Sequence, residues 1–436
     1  MLHEKFHYKT LEELLDTAKQ ANGNIPVSDD LGVLFEKVDQ NGIHFENRFA
    51  IQPMEGCDAA DDGTPGELTT RRYERFAKSG AGLIWAEAVA ILPEGRAKPH
   101  QLHMKDDNLD GFKRMVEQIK ETSMKENGFA PVVIMQAAHS GRYSNPNGYS
   151  EPIIAYNNPL FEKDKPIDPA RIITDDEIKR LEERYAWAAA NAEKCGFDGV
   201  DIKSCHRYLL SEFLSAYDRP GEYGGSFENR TKLLRHAIKN AMDATGKDFI
   251  VTSRLNVYDG FPYPYGFGAK DGEGIIPDLT EGKKLIDILC DDLGVKMLDI
   301  TIGNPYVNPH VNRPYDRGNY VPEEHPLFGL GRIMDCVTEI QKHRPDLLVV
   351  GSGFSYPRQF SARLAAGMIA RGGCTVAGFG RMAFAYPDFI QDLKKTGELD
   401  PKKCCVACGE CAKLLRAGQA SGCVMRDNKL YRPHKD

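Results

Sequence analysis

The 436-residue sequence has no basic surplus: 56 lysines and arginines stand against 63 aspartates and glutamates, a formal charge of -7. Neither nucleic acid nor an anionic membrane surface is therefore expected as a partner. No window approaches the roughly 18 consecutive apolar residues that a membrane-spanning helix needs. The opening MLHEKFHYKTLEELLDTAKQ is charged and lacks the apolar stretch of a secretory leader. These absences point to a cytoplasmic protein that acts on a small molecule. No G-x-G-x-x-G follows the first strand-like run, which counts against a dinucleotide-binding Rossmann unit. A disulfide framework is not expected either, because intracellular thiols stay reduced and the eleven cysteines are unevenly spread. Cys404, Cys405, Cys408, Cys411 and Cys423 crowd into the final 33 residues, an asymmetry that reads as metal binding.

What is present is a repeating alternation. With 41 % hydrophobic residues the chain can bury a large core. Short apolar runs recur at Arg48–Met54, Gly82–Ala90, Pro131–Ala137, Gly199–Lys203, Phe249–Asn256, Met297–Gly303, Leu347–Gly353 and Thr375–Gly380. They are rich in Val and Ile and often close on glycine, as buried parallel strands do. Amphipathic stretches lie between them. The clearest is Asp175–Cys195, where Ile178, Leu181, Tyr185, Ala188, Ala192 and Cys195 repeat at helical spacing behind a capping box at Thr174 and Glu177. Eight such units predict an α/β fold of the closed (β/α)₈ barrel type, with a small C-terminal cysteine-rich segment. The expected division is an N-terminal extension over 1–44 packing on the barrel, the barrel over 45–395, and the cysteine segment over 396–436. The Gly-, Pro- and aromatic-rich stretch Tyr258–Pro277 reads as an active-site loop.

Barrel sites lie past the C-terminal ends of the strands. The third run ends in Gln136 with His139 and Arg142 beyond it, which alone need be no more than a polar strand end. The fourth ends in Lys203, His206 and Tyr208, a tight set of donors suited to gripping a carbonyl oxygen and delivering a proton. The bland alternatives are a solvated lysine and a core tyrosine, but Lys203 follows Val200 and Ile202 in an apolar strand, where a charge requires a partner. Arg254 ends the fifth run and is a fixed cation able to stabilise negative charge on a reduced cofactor. Gly351 and Gly353, then Gly380 with Arg381, fall where barrels of this kind hold a phosphate. Cys405, Cys408, Cys411 and Cys423 supply four thiolates for a 4Fe–4S cluster or a tetrahedral zinc, with Cys404 a competitor for the first place.

Further blocks are Asn47-Arg48-Phe49 with Pro53 and Met54, Gly196–Val200, and the run from Tyr208 (YLLSEFLS) through Glu222–Arg230 (EYGGSFENR). In this order they resemble the old yellow enzyme superfamily, and within it the iron–sulfur branch of 2,4-dienoyl-CoA reductase-like and trimethylamine dehydrogenase-like flavoproteins, from about Phe45 through Asp427. The resemblance implies FMN across the barrel mouth, with Pro53, Met54 and Glu55 beside the ring and Gln136 on its pyrimidine edge. Arg254 would lie near N1 and O2, and Gly351, Gly353, Gly380 and Arg381 would hold the phosphate. It implies Tyr208 as proton donor, Lys203 and His206 on the substrate carbonyl, and His310 assisting proton delivery. Three positions depart from the family pattern: Lys203 stands where His is common, Glu55 where Thr or Cys is, and Arg207 where Gly is. The flavodoxin-like FAD and NAD domains that larger members append are not expected after the cysteines.

The implied activity is that of an FMN-dependent ene-reductase, reducing the C=C bond of an α,β-unsaturated carbonyl compound such as an enone, enoate, enoyl thioester or plant phenolic. NADH or NADPH is the reductant. The rivals are amine oxidation of the trimethylamine dehydrogenase kind and a flavin/iron–sulfur electron-transfer subunit that needs a diaphorase partner. A redox partner protein and self-association both stay open on the sequence.

Overall fold

A computed structural model describes residues 2–271 and 276–432. Residues 272–275, within the loop Tyr258–Pro277, lie outside the described residues. An N-terminal helix, Leu11–Gln20, is followed by a hairpin of β1 (Val38–Gln40) and β2 (Ile43–Phe45). Eight parallel strands then close into a barrel. They are β3 Phe49–Ile51, β4 Leu83–Ala90, β5 Val132–Ala138, β6 Gly199–Ile202, β7 Ile250–Asn256, β8 Met297–Thr301, β9 Leu348–Gly351 and β10 Val376–Phe379. Each overlaps the apolar run assigned to it, and β10 pairs back onto β3 through Ala377 and Phe49. A helix follows every strand, among them Glu67–Lys78 after β3 and Asp175–Lys194 after β5. The latter starts at the anticipated capping box, with Thr174 and Glu177 bonded reciprocally.

The two-residue period of a strand explains where the site sits. One parity of each strand, such as Ile51, Val133, Val200, Leu298 and Phe379, packs outward into the main apolar core. The other points into the barrel. Its lower members, Ala50, Leu83, Trp85, Ile134, Met297, Leu348, Val350 and Val376, form a separate apolar cluster with Val38, Ile43 and Phe45. The hairpin thus joins the lower barrel filling. Further up five of the strands the same parity turns polar: Gln52, Gln136, Asp201, Arg254 and Asp299. Apolar packing holds the bottom of the barrel and polar side chains are carried to its C-terminal mouth.

The cysteine-rich segment lies across that mouth. Asp427 is bonded by Arg71 and Arg75 of the helix Glu67–Lys78, the Ser421 amide donates to the Gly56 carbonyl at 2.6 Å, and Arg416 donates to the Pro305 carbonyl at 2.8 Å. Among the described residues no helix is long and apolar enough to cross a membrane.

Candidate active site

A cleft at the mouth encloses about 1130 Å³, its open end included, against roughly 300–1,000 Å³ for ordinary ligand pockets. Its floor is a set of buried polar groups that fix one another. Asp201, fully buried, accepts from Trp85 Nε1 at 2.8 Å, Gln136 Nε2 at 2.7 Å and the Arg254 amide at 2.6 Å. Burial raises its pKa. Asp299 accepts from Gln52 Nε2 at 3.1 Å and pairs with Arg254 Nε at 3.0 Å. Burial pushes Asp299 up to about 7, against the pull of the Arg254 guanidinium. Gly378 is required beside them, because a Cβ there would meet Gln52 Nε2 at 2.1 Å.

One wall is the loop after β3. The Gly56 amide donates to Glu87 Oε2 at 2.7 Å, and Arg72 bridges Glu87 and Asp58 beneath it. Glu55 is thereby held over the cleft, where it accepts from Tyr208 Oη at 2.9 Å and stands 3.3 Å from Lys203 Nζ. Tyr208 Oη is also 3.0 Å from Tyr306 Oη, and the Lys203 ammonium lies 3.7 Å from the centroid of the Tyr208 ring. Burial, then the Glu55 carboxylate, holds the Tyr208 phenol well above its ordinary pKa. Tyr306 stacks on Tyr143 at 3.8 Å, so three tyrosines flank the hydroxyl cluster.

His206 and Arg207 both take left-handed backbone angles, φ 62° and 56°, between β6 and Tyr208. Non-glycine residues there carry strain, which the surroundings must offset. The buried Arg207 guanidinium does so by bonding Asp259 Oδ2 at 3.3 Å, Ser215 Oγ at 3.1 Å and Tyr156 Oη at 3.1 Å. Burial, then Arg254 and Lys203, drives His206 well below its ordinary pKa, so its imidazole is neutral at neutral pH.

Of the residues singled out in the sequence, Pro53, Met54, Glu55, Gln136, Lys203, His206, Tyr208, Arg254, Gly353, Gly380 and Arg381 line this one cleft. Gly351 lies a layer lower, its carbonyl facing Gln52 Nε2 at 3.4 Å. His310 is not brought to the cleft: its Nδ1 meets Tyr320 Oη at 2.5 Å and its Nε2 stands 3.8 Å from Glu324. Tyr306, from the same loop, takes the place beside Tyr208. The described part of Tyr258–Pro277 does not line the cleft either, against the expectation of an active-site loop. Tyr258 and Phe267 are buried and Asp259 is committed to Arg207, so this stretch supports the site from behind. Gln52, Asp201 and Asp299 were missed in the sequence, although strand parity with Gln136 and Arg254 marks all three.

The cleft is built for a polar ligand. Gln52 Oε1, His206 Nε2 and Arg381 Nη1 are buried without a partner among the described residues, at about 1–3 kcal/mol each if left so. The side-chain amides with Arg254 suit the pyrimidine edge of FMN, and the glycines with Arg381 suit its phosphate. Cys404, Cys405, Cys408, Cys411 and Cys423 all line a neighbouring cavity of about 360 Å³, mouth included, with Arg381 and Arg426. Among the described residues no three His, Cys, Asp or Glu side chains are grouped closely enough to hold a metal ion. The Cys404 thiol donates to the Asp400 carbonyl at 3.3 Å, whereas Cys405 Sγ accepts from the Ala407 amide at 3.4 Å.

The profile of the NADH:flavin oxidoreductase / NADH oxidase family matches residues 33–311. An NADPH dehydrogenase of Halalkalibacterium halodurans is 35 % identical over 211 residues, 47 % of this chain and 58 % of that protein. A solved 2-naphthoyl-CoA reductase in complex with 2-naphthoyl-CoA superposes with a TM-score of 0.73 at 18 % identity, over 92 % of this chain and 58 % of that one. The old yellow enzyme homologue of Zymomonas mobilis gives 0.62 at 24 % identity, over 85 % and 94 %. The two structural likenesses bear on the fold alone. The chain spans just over half the length of the first two proteins.

Proposed function

The chain belongs to the NADH:flavin oxidoreductase / NADH oxidase family, within the old yellow enzyme superfamily, and from that premise we propose that it reduces the C=C bond of α,β-unsaturated carbonyl compounds with NADH or NADPH as reductant. The observation that carries this reading is the Tyr208 hydroxyl, held at the cleft between Glu55 and Tyr306 with Lys203 and His206 beside it. When bound, FMN supplies the hydride to the β-carbon. Gln52, Gln136 and Arg254 would hold its pyrimidine edge, and Gly353, Gly380 and Arg381 its phosphate.

His206 and Lys203 grip the carbonyl oxygen, where negative charge develops only as the hydride arrives, so their interaction strengthens toward the transition state. Tyr208 gives its proton to the α-carbon. The Lys203 ammonium over its ring favours the departing proton, and the hydrogen-bonded Glu55 and Tyr306 connect the phenol to a route for its replacement. We further propose a 4Fe–4S cluster on Cys405, Cys408, Cys411 and Cys423. It is supported by the cysteines gathered about one cavity, among which Cys404 differs in having its thiol bonded to the Asp400 carbonyl.

Amine oxidation draws on the tyrosine trio, which suits a cation. Five cations line the cleft, however, Lys203, Arg254, Arg313, Arg381 and Arg416, against Glu55 at its surface among the described residues and the buried Asp299, paired with Arg254, and Asp201 in its floor. That balance repels an ammonium substrate.

The test is anaerobic purification with an absorption spectrum, iron and sulfide analysis, then addition of NADH and of an enone. Flavin and iron together, bleaching by NADH and recovery with the enone support the reading; turnover of amines and not of enones overturns it. Tyr208→Phe is expected to slow flavin re-oxidation by the enone about a hundredfold and to spare reduction by NADH. Equal loss in both half-reactions would remove Tyr208 from the proton-donor role.

A further inference from the structure

Beside the cleft lies a second pocket, and the two share a wall made of Tyr306, Arg313, Arg381 and Arg416. Arg317 and Lys413 line only the second pocket. Five cations thus surround it, and no acidic side chain lines it among the described residues. Lys413 is paired with Glu410 at 2.6 Å, but Arg313, Arg317, Arg381 and Arg416 form no ion pair there with a carboxylate among the described residues. Arg416 and Arg381 reach only the carbonyls of Pro305 and Pro314. In a chain of net charge -7 this is a local reversal of sign. Arg313, Arg381 and Arg416 are half-buried and Arg317 and Lys413 exposed; like charges gathered with so little counter-charge repel one another and are relieved by a bound anion.

A flavin phosphate would occupy Arg381. The cysteine ring lies by Arg313 and Arg381 and would neutralise those two at most. Neither group answers for Arg317 and Lys413, which line neither the flavin cleft nor the cysteine cavity.

We infer that this side pocket is an anion subsite of the active site, holding the phosphate or carboxylate groups of the molecule that docks against the flavin. The inference rests on the flavin reading above and narrows its substrate class to anionic compounds. Two molecules carry such groups to the cleft: a thioester or acid substrate through its tail, and the nicotinamide dinucleotide through its pyrophosphate.

The experiment uses the flavin-loaded protein and the double variant Arg317→Gln/Lys413→Gln, both positions being exposed. Calorimetry with inorganic pyrophosphate is expected to show binding that the double variant loses. If the substrate tail is the anion, the variant's preference for crotonyl-CoA over methyl crotonate falls about tenfold, as the loss of two charge contacts predicts. If the reductant is, the dissociation constant for NADH in the flavin-reduction half-reaction rises by a similar factor. Either arm supports the subsite and identifies its source. Unchanged pyrophosphate binding together with unchanged preference and NADH affinity overturns it. Pyrophosphate binding that depends on Arg317 and Lys413, in a protein that reduces no enone, would leave the subsite standing and sink the ene-reductase reading instead.

Discussion

Glu55 is more closely engaged at the candidate site than its place in the sequence suggested. A carboxylate next to Pro53 and Met54 reads as a modifier of the flavin; in the fold it is the acceptor for Tyr208 and the counter-charge of Lys203. Glu55→Gln should therefore slow flavin re-oxidation by an enone about tenfold or more and shift the pH profile of that half-reaction. Reduction by NADH should change little. A profile identical to that of the unaltered protein would show that Glu55 only packs. Asp299 makes a prediction of a different sign. Its folded pKa, about 7, lies above the unfolded value, so the folded state binds the proton more tightly and stability falls as pH rises from about 4 to about 7. Glu87, also raised to about 7 by burial, slopes the same way. Asp259, Asp201 and Glu182 are raised by burial as well, so Asp299→Asn should reduce, without abolishing, the loss in unfolding free energy between pH 5 and pH 8, as read by denaturant titration at the two values.

At the scale of elements, the connection from β6 to Tyr208 balances strain against a buried ion pair. Arg207→Gly would restore the residue that the family pattern favours and relieve a left-handed backbone worth about 1–2 kcal/mol. It would also leave Asp259, fully buried, without its guanidinium, and removing one partner of a buried pair costs about 3–5 kcal/mol. The second effect is larger. Arg207→Gly is expected to lower the denaturation midpoint, and adding Asp259→Asn should recover part of the loss. A variant more stable than the parent would show that strain dominates there. The pairing also accounts for the behaviour of the loop Tyr258–Pro277. Its aromatic content marked it as a substrate loop, but Asp259 draws it behind the site, where Tyr258 and Phe267 are buried.

Over the whole molecule, the cysteine segment is part of the wall of the candidate site and not an appendage. Cys411, Ala412, Leu415, Arg416 and Ser421 line the cleft, and the Ser421 amide grips the same loop that carries Glu55. The segment is pinned at its far end by Asp427 between two half-exposed arginines, an arrangement worth about 1 kcal/mol after solvent screening. Asp427→Ala should accordingly raise the rate of limited proteolysis near residue 400 about fivefold, with a parallel fall in bound iron if the four thiols hold a cluster. An unchanged cleavage rate would show that the remaining contacts suffice.

The sequence by itself determined the barrel, since eight apolar runs separated by amphipathic helices admit few other closures, and the capping box at Thr174 marked a helix start to the residue. It also marked strand ends that meet at one place: eleven of the residues singled out there line a single cleft. Period and composition are local properties, and local properties survive in a linear string. Only the tertiary structure decided that Glu55 meets Tyr208 across 153 positions, that Arg207 finds Asp259, that His310 yields its place to Tyr306, and that the cysteines close the mouth. Each of these depends on which residues barrel closure and the docking of the last segment bring within hydrogen-bond reach. Such meetings join chain positions too distant for any periodic signal, and they follow from the three-dimensional accounting of buried charge: every buried charge must find a partner, and the fold determines which one is near.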